Sequence, residues 1–238
     1  MIEVQNILPI FRREIRSYFN SPVAYVVIVV FLAIVGWFFT NNLFLMNVAS
    51  MRIIFELVPL VFLFCVPAVT MRLLAEEKKS GTLELLTTKP VRDIEIVLGK
   101  FLAAWVLLAA ALVPTLLYLI TLMALGSIDL GPVVAGYLGL LLMGGVYIAI
   151  GIFASSLTEN QIVAFIISFL IVLSLFLMDK VLMYVPEGLA STMEFLGIDY
   201  HFSNIARGVI DSRDLIYFAS LLGFSLLLAT VSLERRKW

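Results

Sequence analysis

Charge is scarce in this chain. Only 14% of its 238 residues are Asp, Glu, Lys or Arg, 62% are hydrophobic, and the mean hydropathy is +1.09. A soluble domain is about 45–50% apolar and about 25% charged. A water-soluble fold of this length cannot bury so much apolar surface, so bilayer lipid must act as solvent for most of it. Cysteine is almost missing: Cys65 is the one thiol and lies within an apolar run, so no intrachain disulfide supports the fold. Histidine is equally rare. His201 has no cysteine or second histidine near it and reads as a surface or interfacial residue rather than a metal ligand. The chain lacks a Gly-x-x-x-x-Gly-Lys-Ser/Thr phosphate loop, a His-Glu-x-x-His helix and any sign of a Ser–His–Asp set. The chain thus supplies no ATP site of the usual kind and gives poor support for an intramembrane hydrolase, and no catalytic, cofactor-binding or metal residue is expected. Ionisable residues are nearly missing from the apolar runs, with Glu56, Asp179 and Lys180 near their ends. That removes the usual mark of a proton- or ion-coupled pathway. The net charge of −1 gives no reason to expect a nucleic-acid partner. No cleavable signal peptide is evident, because the first apolar run starts near Pro22 and is too long for a signal core.

What remains is a series of long apolar runs, at 22–45, 53–71, 101–125, 132–157, 162–185 and 215–233. About 20 apolar residues cross the hydrocarbon core as a helix. Backbone groups in lipid need partners within their own segment, and the alternation of a barrel strand is missing, so the runs predict helices. The expected fold class is an all-α integral membrane protein with six transmembrane helices. Lys and Arg set the orientation. One side carries Arg12, Arg13, Arg16, Arg72, Lys78, Lys79, Lys89, Arg92, Lys100, Arg235, Arg236 and Lys237; the other carries Arg52, Lys180, Arg207 and Arg213. That bias places both termini in the cytoplasm.

The first 21 residues form a separate element. Val4, Ile7, Leu8, Phe11, Ile15, Tyr18 and Phe19 recur at helical spacing, with Arg12, Arg13 and Arg16 on the opposite face. This predicts an amphipathic helix in the membrane interface, its arginines suited to anionic lipid. It serves as an anchor alone or also meets a cytoplasmic partner. Ser21 as N-cap and Pro22 at the first helical position start the first span.

The densest charge lies at 72–92, between the second and third spans, where Arg72 to Ser80 continues the second span into water. Gly81 interrupts that helix, Thr82 is placed to cap a new short one, and Glu84 suits its positive end. Leu83, Leu85 and Leu86 leave apolar side chains on it. A solvated loop needs neither the break nor the leucines, so the block reads as a docking element for a soluble partner. The fourth-to-fifth connection, 155–161, is short; Thr158 is expected to cap the fifth span, and a second partner contact there is the alternative. Gly136, Gly139, Gly144, Gly145 and Gly151 in the fourth span predict close helix packing. At 186–214, Ile198, Phe202, Ile205 and Val209 fall at helical spacing and predict short helices on the outer membrane surface, either a plain cap or a gate.

Glu76-Glu77-Lys78-Lys79-Ser80-Gly81-Thr82-Leu83-Glu84-Leu85-Leu86, placed after the second of six spans, resembles the signature of ABC-2 type transporter permeases. The resemblance covers essentially the whole chain. It implies that the segment is a coupling helix docking on a cytoplasmic ATPase, with Glu76, Glu77, Lys78, Gly81, Thr82, Glu84 and Leu85 facing or shaping that contact. The N-terminal helix, with Phe11, Arg12, Arg13 and Arg16, is similar to the family's interfacial connector helix. Residues 201–218 resemble the gliding-motility and copper-enzyme-maturation branch, which makes His201, Phe202, Arg207 and Asp211 an outer gate or partner surface. The resemblance further implies two ATPase copies holding ATP and Mg, a permease homodimer or a related second permease, contact with membrane lipid, and a prokaryotic inner-membrane location. The expected function is the permease subunit of an ATP-driven exporter, itself not an enzyme. The alternative is a transmitter of ATP-driven motion to an extracytoplasmic accessory protein. A passive scaffold is the third reading.

Overall fold

The computed structural model describes residues 6–45, 50–82, 91–126, 128–181 and 193–235. Among them there is no strand. The elements are α1 (Ile7–Asn20), α2 (Pro22–Phe44), α3 (Arg52–Thr70), α4 (Arg72–Lys79), α5 (Asp93–Leu112), a 3-10 turn (Val113–Thr115), α6 (Leu116–Leu125), α7 (Leu130–Leu157), α8 (Gln161–Leu177), α9 (Ile198–Ala206) and α10 (Ser212–Glu234). Five stretches are long and apolar enough to cross a membrane: α2, α3 with α4, α5 through α6, α7 and α10. The apolar α8 is shorter, at 17 residues.

Local chemistry explains most boundaries. Ser21 is extended, and its hydroxyl accepts the Val23 N–H at 3.3 Å, with Pro22 in the first turn where a missing N–H costs nothing. α5 starts at Asp93, well before the expected span, because Asp93 and Glu95 suit the positive end of its dipole. Asp93 to Leu125 spans 33 residues, about 50 Å of helix. That exceeds the roughly 30 Å hydrocarbon core, so the part before Phe101 can lie outside it. Pro114 tightens the chain into the 3-10 turn by removing a ladder donor. α3 carries Pro59 and Pro67 and stays helical. The cap of α8 is Asn160, whose Oδ1 accepts the Ile162 N–H at 2.9 Å. The expected cap, Thr158, instead accepts the Asn160 N–H at 3.1 Å, one step earlier.

α7 is the centre of the bundle and packs on α3, α5, α8, α9 and α10. Small residues allow this, as lipid supplies no hydrophobic drive between helices. A Cβ on Gly151 would fall 2.0 Å from Thr70 Oγ1, and one on Gly136 would fall 2.5 Å from the Phe55 ring, so α3 closes directly onto the α7 backbone. α2 is peripheral: only Ala24, Phe31, Val35 and Phe39 are buried, while Tyr25, Val29 and Trp37 face outward. α1 lies against α5, with the Ile10 side chain 2.7 Å from where a Cβ of Gly99 would stand. The helix at 198–206 packs one face against α7. Ile198, Phe202 and Ile205 are buried against the bundle. Val209 lies beyond the helix end, past Gly208 at φ +90°, and is exposed.

Candidate functional site

The charged end of the bundle is built around α4. α3 and α4 are almost one helix, broken at Met71. The Ser155 hydroxyl enters that break from α7: it accepts the N–H groups of Leu74 (3.0 Å) and Ala75 (2.9 Å) and donates to the Met71 carbonyl (2.9 Å). A single side chain thus caps the start of α4 and closes the end of α3. Lys78 donates to the Ser156 carbonyl, which also accepts from Ser232 of α10 at 3.3 Å. Ser155 and Ser156 are therefore buried helix residues, not part of an exposed connection, which shrinks to 158–160.

An ion-pair hub ties α4 to α1 and α5. Lys100 is 1% exposed and pairs with Glu14 of α1 (3.1 Å) and Glu77 of α4 (3.0 Å). Arg13 of α1 holds the same Glu77 oxygen at 3.0 Å. Removing one member of such a buried set leaves an uncompensated charge and costs about 3–5 kcal/mol. Asn6 donates to Glu95 at 3.3 Å, fixing α1 to the start of α5. Beside the hub lies a cavity of about 270 Å³, lined by Ser17, Tyr18, Arg72, Glu76 and Ser80 among others. The Glu77 Oε2 and Tyr18 hydroxyl atoms are buried with no hydrogen-bond partner among the described residues. Burial pushes the Tyr18 hydroxyl pKa well up; the Glu14 charge adds to this and Arg72 opposes it.

The predicted docking residues divide accordingly. Glu76 is exposed and pairs loosely with Arg72 at 3.5 Å. Glu77 and Lys78 point inward to the hub and to α7. Gly81, at φ +69°, ends α4 in the left-handed conformation that glycine adopts freely, with its N–H on the Lys78 carbonyl at 3.1 Å. The Thr82 hydroxyl sits 2.9 Å from that of Ser80. Glu84 and Leu85 lie outside the described residues. On α1, Phe11 packs on the core, Arg13 joins the hub, and Arg12 and Arg16 are exposed.

The far end is built differently. His201 is buried, not at the surface: Nδ1 lies 2.6 Å from Asp214 Oδ1 of α10 and Nε2 lies 2.8 Å from the Phe195 carbonyl. A carbonyl only accepts, so Nε2 is the donor to Phe195, and Nδ1 faces the Asp214 carboxyl group. The ring stacks on Tyr217 at 3.9 Å between centroids, with Phe195 and Tyr200 edge-on. Phe202 is buried beside it, Arg207 is exposed, and Asp211 caps α10 by accepting the Arg213 N–H at 2.9 Å. Lys180 bridges to Asp199 at 2.7 Å and Asp179 at 3.5 Å. Burial raises the Asp179 pKa, with the Asp199 charge adding and Lys180 opposing. Burial pulls the Lys180 pKa down, but its bonds to the two aspartates outweigh that and raise it.

Sequence reasoning did not find Ser155, Lys100 as a hub, or the His201–Asp214 pair. The acid-rich first turn of α5 was the available signal for Lys100, since it moves the helix start back and carries that lysine inside the bundle. No group of three or more His, Cys, Asp or Glu side chains suited to a metal occurs among the described residues.

No curated protein matches the chain. A family profile described as ABC-2 family transporter protein matches residues 23–197, which takes in α2 through α8, the α4 turn and the start of the far end. The chain is a multi-pass helical membrane protein and belongs to the ABC-2 transporter family.

Proposed function

We propose that this chain is the permease subunit of an ATP-driven export complex, and that α4 with the turn at Gly81 receives the movement of a cytoplasmic ATPase. The carrying observation is the cross-linking of α4. It is held to α7 by Ser155 and Lys78 and to α1 and α5 by the Lys100 hub. A push on the exposed Glu76 face then moves the ends of several helices together rather than bending a loop. Family membership supports the ATPase partner, which supplies ATP and Mg binding that this chain has no phosphate loop to provide. In this reading α8 is the fifth of six spans, since 17 residues reach about 25 Å and the turn after it adds more. Both termini and the 72–92 segment then face the cytoplasm, as the Lys and Arg bias requires. The complex pairs two such chains, or one and a related permease, with two ATPases in a prokaryotic inner membrane.

The test is purification from the native membrane in gentle detergent, wild type beside a Glu76→Arg, Gly81→Pro double variant. An ATPase that accompanies the wild type and is lost from the folded variant supports the reading. No ATPase with either protein contradicts it.

One observation favours force transmission to an outer partner as a second reading: Phe195, Leu196, Val209 and Ile210 leave exposed apolar side chains around the far end. Loss of a co-purifying outer protein on Val209→Asp, Ile210→Asp substitution would support that role.

A further inference from the structure

A second cavity opens at the far end, between the starts of α3 and α7, the end of α8 and the inner side of α9. Its volume is about 690 Å³, within the roughly 300–1,000 Å³ of small-molecule sites. Three rings from three different helices reach its wall: Phe55, Phe176 and Phe202. Charged groups line the cavity as well. Arg52 is held by Glu56 at 2.9 Å, and Lys180 by Asp199 at 2.7 Å. Asp129 accepts the Gly131 N–H at 3.0 Å and so faces the positive end of α7. Arg207 is the remainder. It lines the cavity and is exposed, and its guanidinium has no hydrogen bond or ion pair among the described residues. A guanidinium is always charged and presents a planar fork of donors that matches a carboxylate or phosphate.

We propose that this cavity binds an amphiphilic organic anion, with its carboxylate or phosphate on Arg207 and its apolar body against Phe55, Phe176 and Phe202. Among the described residues, every other charge that lines the cavity already faces a counter-charge or a helix end, so the recognition falls to one cation above an aromatic wall. A bilayer lipid and a soluble organic acid both carry that chemistry. Binding here needs no ATPase and no movement of α4, so its failure would leave the coupling proposal standing, and the converse also holds.

The experiment is equilibrium binding of radiolabelled monododecyl phosphate, and separately of phenyl phosphate, to the purified full chain in phosphatidylcholine nanodiscs. Saturable binding is expected. Arg207→Ala should weaken it about ten-fold or more, as for loss of a charge-assisted contact, and Arg207→Lys should recover part of the loss. Ser203→Trp, which places an indole in the cavity, should abolish it. Arg235→Ala, exposed at the opposite end, should leave it unchanged. Binding of dodecyl phosphate alone assigns the site to a lipid-like anion; binding of both assigns it to a soluble one. Absence of saturable binding overturns the proposal, as does binding that Arg207→Ala leaves unchanged. Arg207 is exposed, so that variant decides the matter even if Ser203→Trp fails to fold.

Discussion

The two ends of the bundle handle polar groups in opposite ways. At the charged end, polar side chains reach across long stretches of sequence and join elements: Ser155 to α4, Lys100 to α1 and α4, Lys78 to α7. At the far end, Arg52–Glu56 and Lys180–Asp179 pair with near neighbours, while Lys180–Asp199 and His201–Asp214 tie the short α9 alone to the end of α8 and to α10, leaving room for a cavity and an arginine with no partner among the described residues. Cross-linking resists relative motion of helix ends; local pairing permits it. The first end is suited to transmit a movement, the second to yield to one.

That contrast can be broken most severely at Lys100. Lys100→Met should destabilise the protein by about 3–5 kcal/mol, because Glu14 would lose its cation and Glu77 would keep only Arg13. Thermal unfolding in detergent reads this, and adding Glu14→Gln and Glu77→Gln should recover much of the loss. Next is Gly151→Ala, which forces α3 off α7 at Thr70 and should cost roughly 1–3 kcal/mol by the same assay. Ser155→Ala should cost about 1–3 kcal/mol by leaving buried backbone groups unpaired. Its signature is faster amide exchange at Leu74 and Ala75 with α9 unchanged. At the far end, Asp214→Asn should act locally, speeding exchange across 198–206 while leaving α4 protected, since His201 loses its carboxyl partner.

The smallest effect expected is a pH dependence at Asp179. Its pKa is raised in the folded protein, so folding favours the protonated form. Its stabilising contribution is present below about pH 4 and lost as pH rises through the folded value. Asp179→Asn should flatten that part of a stability–pH curve.

What the sequence could convey tracks how local each device is. The Ser21–Pro22 break needs only neighbouring residues, and it stands where the residue pattern places it. The glycine-rich face of α7 likewise announced close packing, and Gly136 and Gly151 supply it. Ser155 was illegible because a serine at the end of an apolar run looks the same in a loop as beneath a helix terminus some 80 residues away. His201 lacked any partner at metal-ligand or helical spacing; Asp214 reaches it from across the Gly208 turn. The same turn cut short the apolar periodicity that ran on to Val209. The sequence marks Arg207 as a gate or partner residue, and only the fold shows that it borders a cavity with no counter-charge on it among the described residues.

The central claim, that α4 is where the ATPase acts, is tested most directly by placing a photo-crosslinking residue at Glu76 in one sample and at Arg207 in another, in native membranes. The account predicts a nucleotide-binding chain attached at position 76 and absent at position 207. An adduct with that chain at 207 alone, or at neither position while it is present in the membrane, would contradict it.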